Sequence, residues 1–179
     1  MSTMSRIRIY HAVLAVLALL SFLTGELGLI HAWLGYGVSL VVVLRLLWAL
    51  SGERQLGLMR FYPSFLGMNV TNMLTHPAVS RTLILGIALC LVVVSATGVI
   101  IDKGEAIGLA NTQVVAAAHA DDDEDRNEAR HEEEEGFWGE VHEASGNLMI
   151  FLVGAHVGYL LLFRLPLARF MLFFPKTPR

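Results

Sequence analysis

Apolar residues in this chain fall in long uninterrupted blocks. They show neither the stripes of a surface helix nor the alternation of a half-buried strand. Ile9 to Gly25 is 17 residues without a formal charge, Leu27 to Leu44 is 18, and after Arg45 the apolar run resumes to Leu50. Leu83 to Ile101 is 19 residues and Ala144 to Phe163 is 20. A helix needs about 20 apolar residues to cross a ~30 Å hydrocarbon layer. The blocks therefore predict four spanning helices, at about 7–25, 29–50, 80–101 and 140–164. Runs this continuous lack the dyad alternation of a membrane barrel. The expected fold is all-α, an integral membrane four-helix bundle in a single membrane domain over 1–179. Arg6 and Arg8 before the first block would also suit a secretory signal, but Ser21-Phe22-Leu23-Thr24-Gly25-Glu26 fits a small-x-small cleavage site poorly.

Composition agrees. Of 179 residues, 55% are hydrophobic and 16% charged, against roughly 25% charged in a soluble domain. The mean hydropathy is +0.58. A single cysteine rules out a disulfide framework, and a net charge of −3 argues against a nucleic-acid partner. The partner that remains is membrane lipid.

The charges set an orientation. Ten of the thirteen Lys/Arg lie in the N-terminal tail, the 51–82 loop, the C-terminal tail and the helix ends beside them. Only Lys103, Arg126 and Arg130 lie on the other side. Positive residues stay cytoplasmic, so both termini are expected in the cytoplasm, with the 25–28 turn and the 102–139 loop outside. That loop carries Asp121-Asp122-Asp123-Glu124-Asp125 and Glu132-Glu133-Glu134-Glu135, with His119 and His131 beside them. Blocks of like charge repel themselves and are usually flexible. The loop reads first as a solvated connector, and otherwise as a docking patch for a basic partner or a weak collector of metal ions. The 51–76 stretch mixes Phe61, Tyr62, Phe65, Leu66 and Met68 with Arg54 and Arg60, a mixture that suits the cytoplasmic interface.

The informative residues are histidines at membrane depth, where ionisable groups are costly and usually functional. His11, His31, His142 and His156 lie in or at the edge of predicted helices. For a single histidine, a hydrogen bond to a neighbouring helix is an adequate explanation. Four with matching spacings are not so easily explained. His142 and His156 are 14 residues apart on one helix, which points them to nearly the same face about 21 Å apart in depth. A neutral imidazole ligates a metal or haem iron, so two levels on one face suggest two stacked sites. Depth chooses the partners. His31 opens the second span at the outer end and pairs with His142. His11 lies near the inner end of the first span and pairs with His156, although simple rise leaves those two several ångströms apart in depth. Arg45 follows His31 by the same 14 residues, so it is expected on the same face at the inner level. There it would hold a haem propionate or snorkel to the interface. Gly35, Gly146, Gly154 and Gly158 lie near these histidines and either make room for a macrocycle or pack helices together.

Other chemistry is poorly supported. The chain has no Cys-x-x-Cys-His for covalent haem and no glycine-rich phosphate loop. Cys90 reads as a small packing residue. His76, before Pro77, reads as interfacial, with a smaller chance of lining a quinone site.

The segment His31-Ala32-Trp33-Leu34-Gly35-Tyr36-Gly37, followed by Leu44-Arg45-Leu46-Leu47-Trp48, resembles the second helix of the prokaryotic cytochrome b561 family. That family includes the cytochrome b subunit of nickel–iron hydrogenases. Phe137-Trp138-Gly139-Glu140-Val141-His142-Glu143, continuing through Asn147 to His156, is similar to its fourth helix. The resemblance implies a bacterial inner-membrane protein with four core helices and two haem b groups. It implies bis-histidine ligation by His11, His31, His142 and His156. It also implies quinone as substrate and a redox partner such as a cytochrome c or a dehydrogenase subunit. Two other functions fit the same residues. A quinone-coupled superoxide oxidase has a similar architecture. A divalent metal-ion transporter would use the histidines as a path, but the spans lack paired carboxylates for it.

Overall fold

The computed structural model describes residues 3–50, 62–69, 75–108 and 124–171. The side chains of Thr3, Met4, Leu50 and residues 124–135 lie outside the description. The 51–61 segment with Arg54, Arg60 and Phe61, the 109–123 segment with His119, and 172–179 also lie outside the described residues.

The described residues form five helices and no strand: α1 (Thr3–Leu23), α2 (Leu29–Leu50), α3 (Pro77–Asp102), α4 (Glu124–Phe163) and α5 (Leu165–Met171). Four of them are long and apolar enough to cross a bilayer, over Ser5–Leu23, Leu29–Ala49, Pro77–Asp102 and Gly136–Phe163. These four form the expected bundle. α3 packs most extensively on α4, and α2 packs on both α1 and α3.

The outside of the bundle is apolar. Leu162 is 78% exposed and Phe151 70%, which in water would cost free energy and in lipid does not. The buried centre is small: Val38, Cys90, Leu91 and Met149, with Leu14, Leu17, Val42, Ile87, Leu152 and Val153 packed around them. Cys90 is thus a buried packing residue, as expected. Met149 lies seven residues from both His142 and His156, and Val38 lies seven from both His31 and Arg45. At 1.5 Å per residue this apolar centre sits about 10 Å from each histidine level and separates the two. "Upper" denotes the end with the α1–α2 turn and the C-terminus of α3. "Lower" denotes the end with the N-termini of α1 and α3.

The helix ends follow local chemistry. The α1–α2 turn closes with Leu27 N–H donating to Thr24 O at 2.8 Å, and Gly28 adopts φ +48°, which glycine tolerates without strain. α3 begins at Pro77, three residues before its expected start. Proline suits the first turn, and His76 Nδ1 caps the helix by accepting from Ala78 N–H at 3.2 Å. His76 is therefore a capping residue. α3 ends at Lys103 in the left-handed conformation, φ 50°, with its N–H bonded to Val99 O at 3.2 Å. At the lower end Tyr159 Oη donates to His76 O at 3.4 Å and Arg164 to Thr75 O at 3.0 Å, tying α4 to the start of α3.

Two larger differences from expectation lie in the C-terminal half. α4 begins at Glu124 instead of near 140, so the second half of the acidic connector is helix. Glu, Ala and Arg are strong helix formers, and that intrinsic preference outweighs the repulsion that made the stretch read as a loop. α5 was not expected. Pro166 lacks the N–H needed to continue α4, and the chain restarts with Leu167 N–H on Arg164 O at 2.8 Å. Arg8 lies over the Phe170 ring at 4.7 Å, which fastens α5 to α1.

Candidate haem-binding histidine pairs

At the upper level α2 and α4 bring His31 and His142 together. Their ring centroids are 5.9 Å apart and their planes stand at 86°. Each ring is held by its Nδ1. His31 lies ten residues after Ser21, across the turn, and its Nδ1 is 2.9 Å from Ser21 O. A carbonyl only accepts, so Nδ1 carries the proton. Ser21 lies in the last turn of α1, where carbonyls carry partial negative charge, and its carbonyl also accepts from the N–H and the hydroxyl of Thr24, each at 3.2 Å. His142 Nδ1 is 2.9 Å from Thr97 Oγ1 on α3. Each ring is thereby left with Nε2 as its lone-pair nitrogen.

Both rings border a cavity of about 730 Å³. Its wall includes Gly28, Ala32, Gly35, Ser39, Ser95 and Gly98. That size lies within the usual range of roughly 300–1,000 Å³ for cofactor sites. The small residues are what make the space. A Cβ on Gly98 would stand 3.1 Å from His142 Cε1, whereas one on Gly35 would meet nothing within 4 Å. At the mouth, Tyr36 Oη donates to Asp102 Oδ2 at 2.8 Å, and the same oxygen accepts from Ala106 N–H at 3.2 Å. This links α2 to the end of α3.

The residues fit a metal held between two imidazoles. Two rings sharing one first-row metal at about 2.0 Å each place their centroids roughly 6 Å apart, close to the separation found here. The donor set is two imidazoles with Nδ1 engaged, the usual way in which a ligating histidine is oriented.

At the lower level α1 and α4 place His11 near enough to His156 for the imidazoles to act on each other electrostatically. The Nδ1 of His156 is buried with no hydrogen-bond partner among the described residues. Arg45 lies at this level as its 14-residue interval requires, close enough to act on Tyr10, the neighbour of His11. Tyr10 Oη in turn donates to Val41 O, joining α1 to α2. Gly146, Gly154 and Gly158 each face open space, with nothing within 4 Å of an added Cβ.

Sequence reasoning missed Ser21, Thr97 and Gly98. The signal for Thr97 was present: Ser95 and Thr97 are the only hydroxyls in the Leu83–Ile101 run. For Ser21 there was none, because a backbone carbonyl has no sequence signature.

A family model described as prokaryotic cytochrome b561 matches residues 3–173. Comparison with curated proteins and with solved structures gives no match. The match takes in all five helices, and the chain belongs to the prokaryotic cytochrome b561 family. Membership makes it a multi-pass b-type cytochrome of the membrane, a class whose chemistry is electron transfer by haem.

Proposed function

We propose, from that membership and from the histidine geometry, that the chain is a dihaem cytochrome passing electrons through the bilayer between a quinone and a redox partner. The observation that carries this reading is the facing His31–His142 pair, 5.9 Å apart, with both Nδ1 atoms engaged and a cavity beside them. His31 and His142 would hold the upper haem b, and His11 and His156 the lower. Arg45 would meet a propionate at the lower level, where its charge is best placed to offset a carboxylate in a medium of low dielectric. Bound haem supplies reversible one-electron chemistry. The protein's part is to fix the upper imidazoles through their Nδ1 atoms and to keep water out. The apolar centre around Val38, Leu91 and Met149 supports the latter, since it fills the space between levels with groups that cannot carry charge.

The excess of Lys/Arg at the lower end supports a cytoplasmic placement for that end and for both termini, in the bacterial inner membrane. The upper cavity then faces the extracytoplasmic side. The nine acidic residues of the two blocks would favour a basic partner there, such as a cytochrome c, by long-range attraction that fades as salt rises.

A pyridine haemochrome assay on pure protein tests the reading. Two haem b per chain are expected, and one in a fully loaded sample would refute the two-level arrangement. Stopped-flow reduction of candidate partners across salt tests the acidic segment. A chain lacking 119–135 that reacts equally fast, with the same salt slope, would remove it from partner docking.

A further inference from the structure

Thr97 is the most deeply buried polar side chain among the described residues, 2% exposed, and its hydroxyl has three neighbours. Oγ1 lies 2.8 Å from Val93 O and 3.2 Å from Val94 O, both in its own helix, and 2.9 Å from His142 Nδ1 in α4. A hydroxyl has one proton and two acceptor sites. The carbonyls can only accept, so the proton goes to Val93, with Val94 sharing it at the longer distance. Facing His142, Oγ1 is then an acceptor, and His142 must present Nδ1–H to it; the Val94 carbonyl, one turn back on α3, also bears on that ring and favours the same tautomer. The opposite arrangement would leave Nε2 protonated and the Val93 bond broken. Next along α3, Gly98 leaves the ring its room: a Cβ there would press within 3.1 Å of His142 Cε1.

We propose that Thr97 is a positioning residue for the upper haem: its hydroxyl, committed to Val93 as donor, accepts from His142 Nδ1–H and thereby fixes both the tautomer and the plane of that ligand. This rests on the assignment of His142 as a haem ligand. An acceptor behind an axial imidazole makes it more electron-rich and favours the oxidised metal. Thr97 would thus hold the upper haem more oxidised at a given potential than an unsupported imidazole would. A threonine that merely satisfied its own helix would have no such effect.

The test uses full-length wild type and Thr97→Val, Thr97→Ala and Thr97→Ser, purified with haem. Optical redox titration and low-temperature EPR of the oxidised protein resolve the two haems, and transfer to apomyoglobin measures retention. The Val and Ala variants should shift the upper component toward the reduced form, by about fivefold in reduced-to-oxidised ratio at fixed poise. They should also alter its g anisotropy and release that haem about tenfold faster. Thr97→Ser keeps the acceptor and should match wild type. The lower component should not move in any variant, which makes it the internal control for folding. An unchanged upper haem in both Val and Ala variants would overturn the role of Thr97 while leaving the dihaem reading intact. Loss of both haems together in those two variants would also overturn it, because the hydroxyl would then serve the whole bundle. Wild-type protein that binds no haem would overturn the underlying ligand assignment instead.

Discussion

The upper and lower histidine pairs share residue types and interval but differ in what stands behind them. Upstairs both rings are held at Nδ1: His31 on Ser21 O and His142 on Thr97 Oγ1, each at 2.9 Å. Downstairs the Nδ1 of His156 is buried without a hydrogen-bond partner among the described residues, and Arg45 lies at that level beside Tyr10. A buried polar group left without a partner costs about 1–3 kcal/mol. The difference teaches that two pairs of the same residue type can have unlike surroundings. The hydroxyl and carbonyl behind an imidazole decide how firmly it is aimed and how electron-rich it is, and the residue type alone does not.

The harshest way to break the contrast is to remove the room that the upper ring needs. Gly98→Val adds volume where even a Cβ lies 3.1 Å from His142 Cε1. It is expected to lower upper-haem occupancy about tenfold or more, as loss of an orienting contact does, and to leave the lower haem in place. Haem counting with EPR on the purified variant checks this. Equal loss from both levels would show that Gly98 serves helix packing instead.

A milder effect separates the two levels in the wild type. The upper imidazoles donate to acceptors, whereas the lower pair lacks one at His156 and has the Arg45 cation at its depth, beside Tyr10. Both differences favour reduction of the lower haem. The lower component should titrate at the higher potential, by on the order of 1 kcal/mol, one net hydrogen bond. Arg45→Leu should lower that component and leave the upper one unmoved. A redox titration in which Arg45→Leu moves only the upper component would contradict the assignment of levels. Ring orientation adds a spectroscopic mark. Imidazole planes at 86° predict a highly anisotropic low-spin EPR signal for the upper haem.

The smallest effect concerns the cavity mouth. Tyr36→Phe removes the 2.8 Å bond to Asp102. Hydrogen bonds between membrane helices are worth on the order of 1 kcal/mol, so thermal unfolding should begin a few degrees earlier with both haem spectra unchanged. A shift of the upper spectrum would place Tyr36 in the haem site itself.

The spans and the pairing of histidines were legible in the sequence for one reason. A bilayer demands continuous apolar runs, and a straight helix converts residue intervals directly into depth. The 14-residue intervals at His142–His156 and His31–Arg45 needed no tertiary information. What stood behind the rings did need it. Thr97 comes from α3, a helix with no histidine at either level, and Ser21 contributes only its backbone. The start of α4 at Glu124 was hidden by charge, since a run of acids reads as solvated coil when its helix propensity is ignored. α5 was hidden by Pro166, which ends one helix and is tolerated in the first turn of the next.

The central claim is that the histidines work as two pairs across helices, and optical redox titration of the four single variants His11→Ala, His31→Ala, His142→Ala and His156→Ala tests it most directly. Each variant should retain one haem. His31→Ala and His142→Ala should keep the same higher-potential component, and His11→Ala and His156→Ala should keep the other. Loss of one and the same component from His31→Ala and His11→Ala would contradict the pairing, and with it the account of two unlike sites stacked in one bundle.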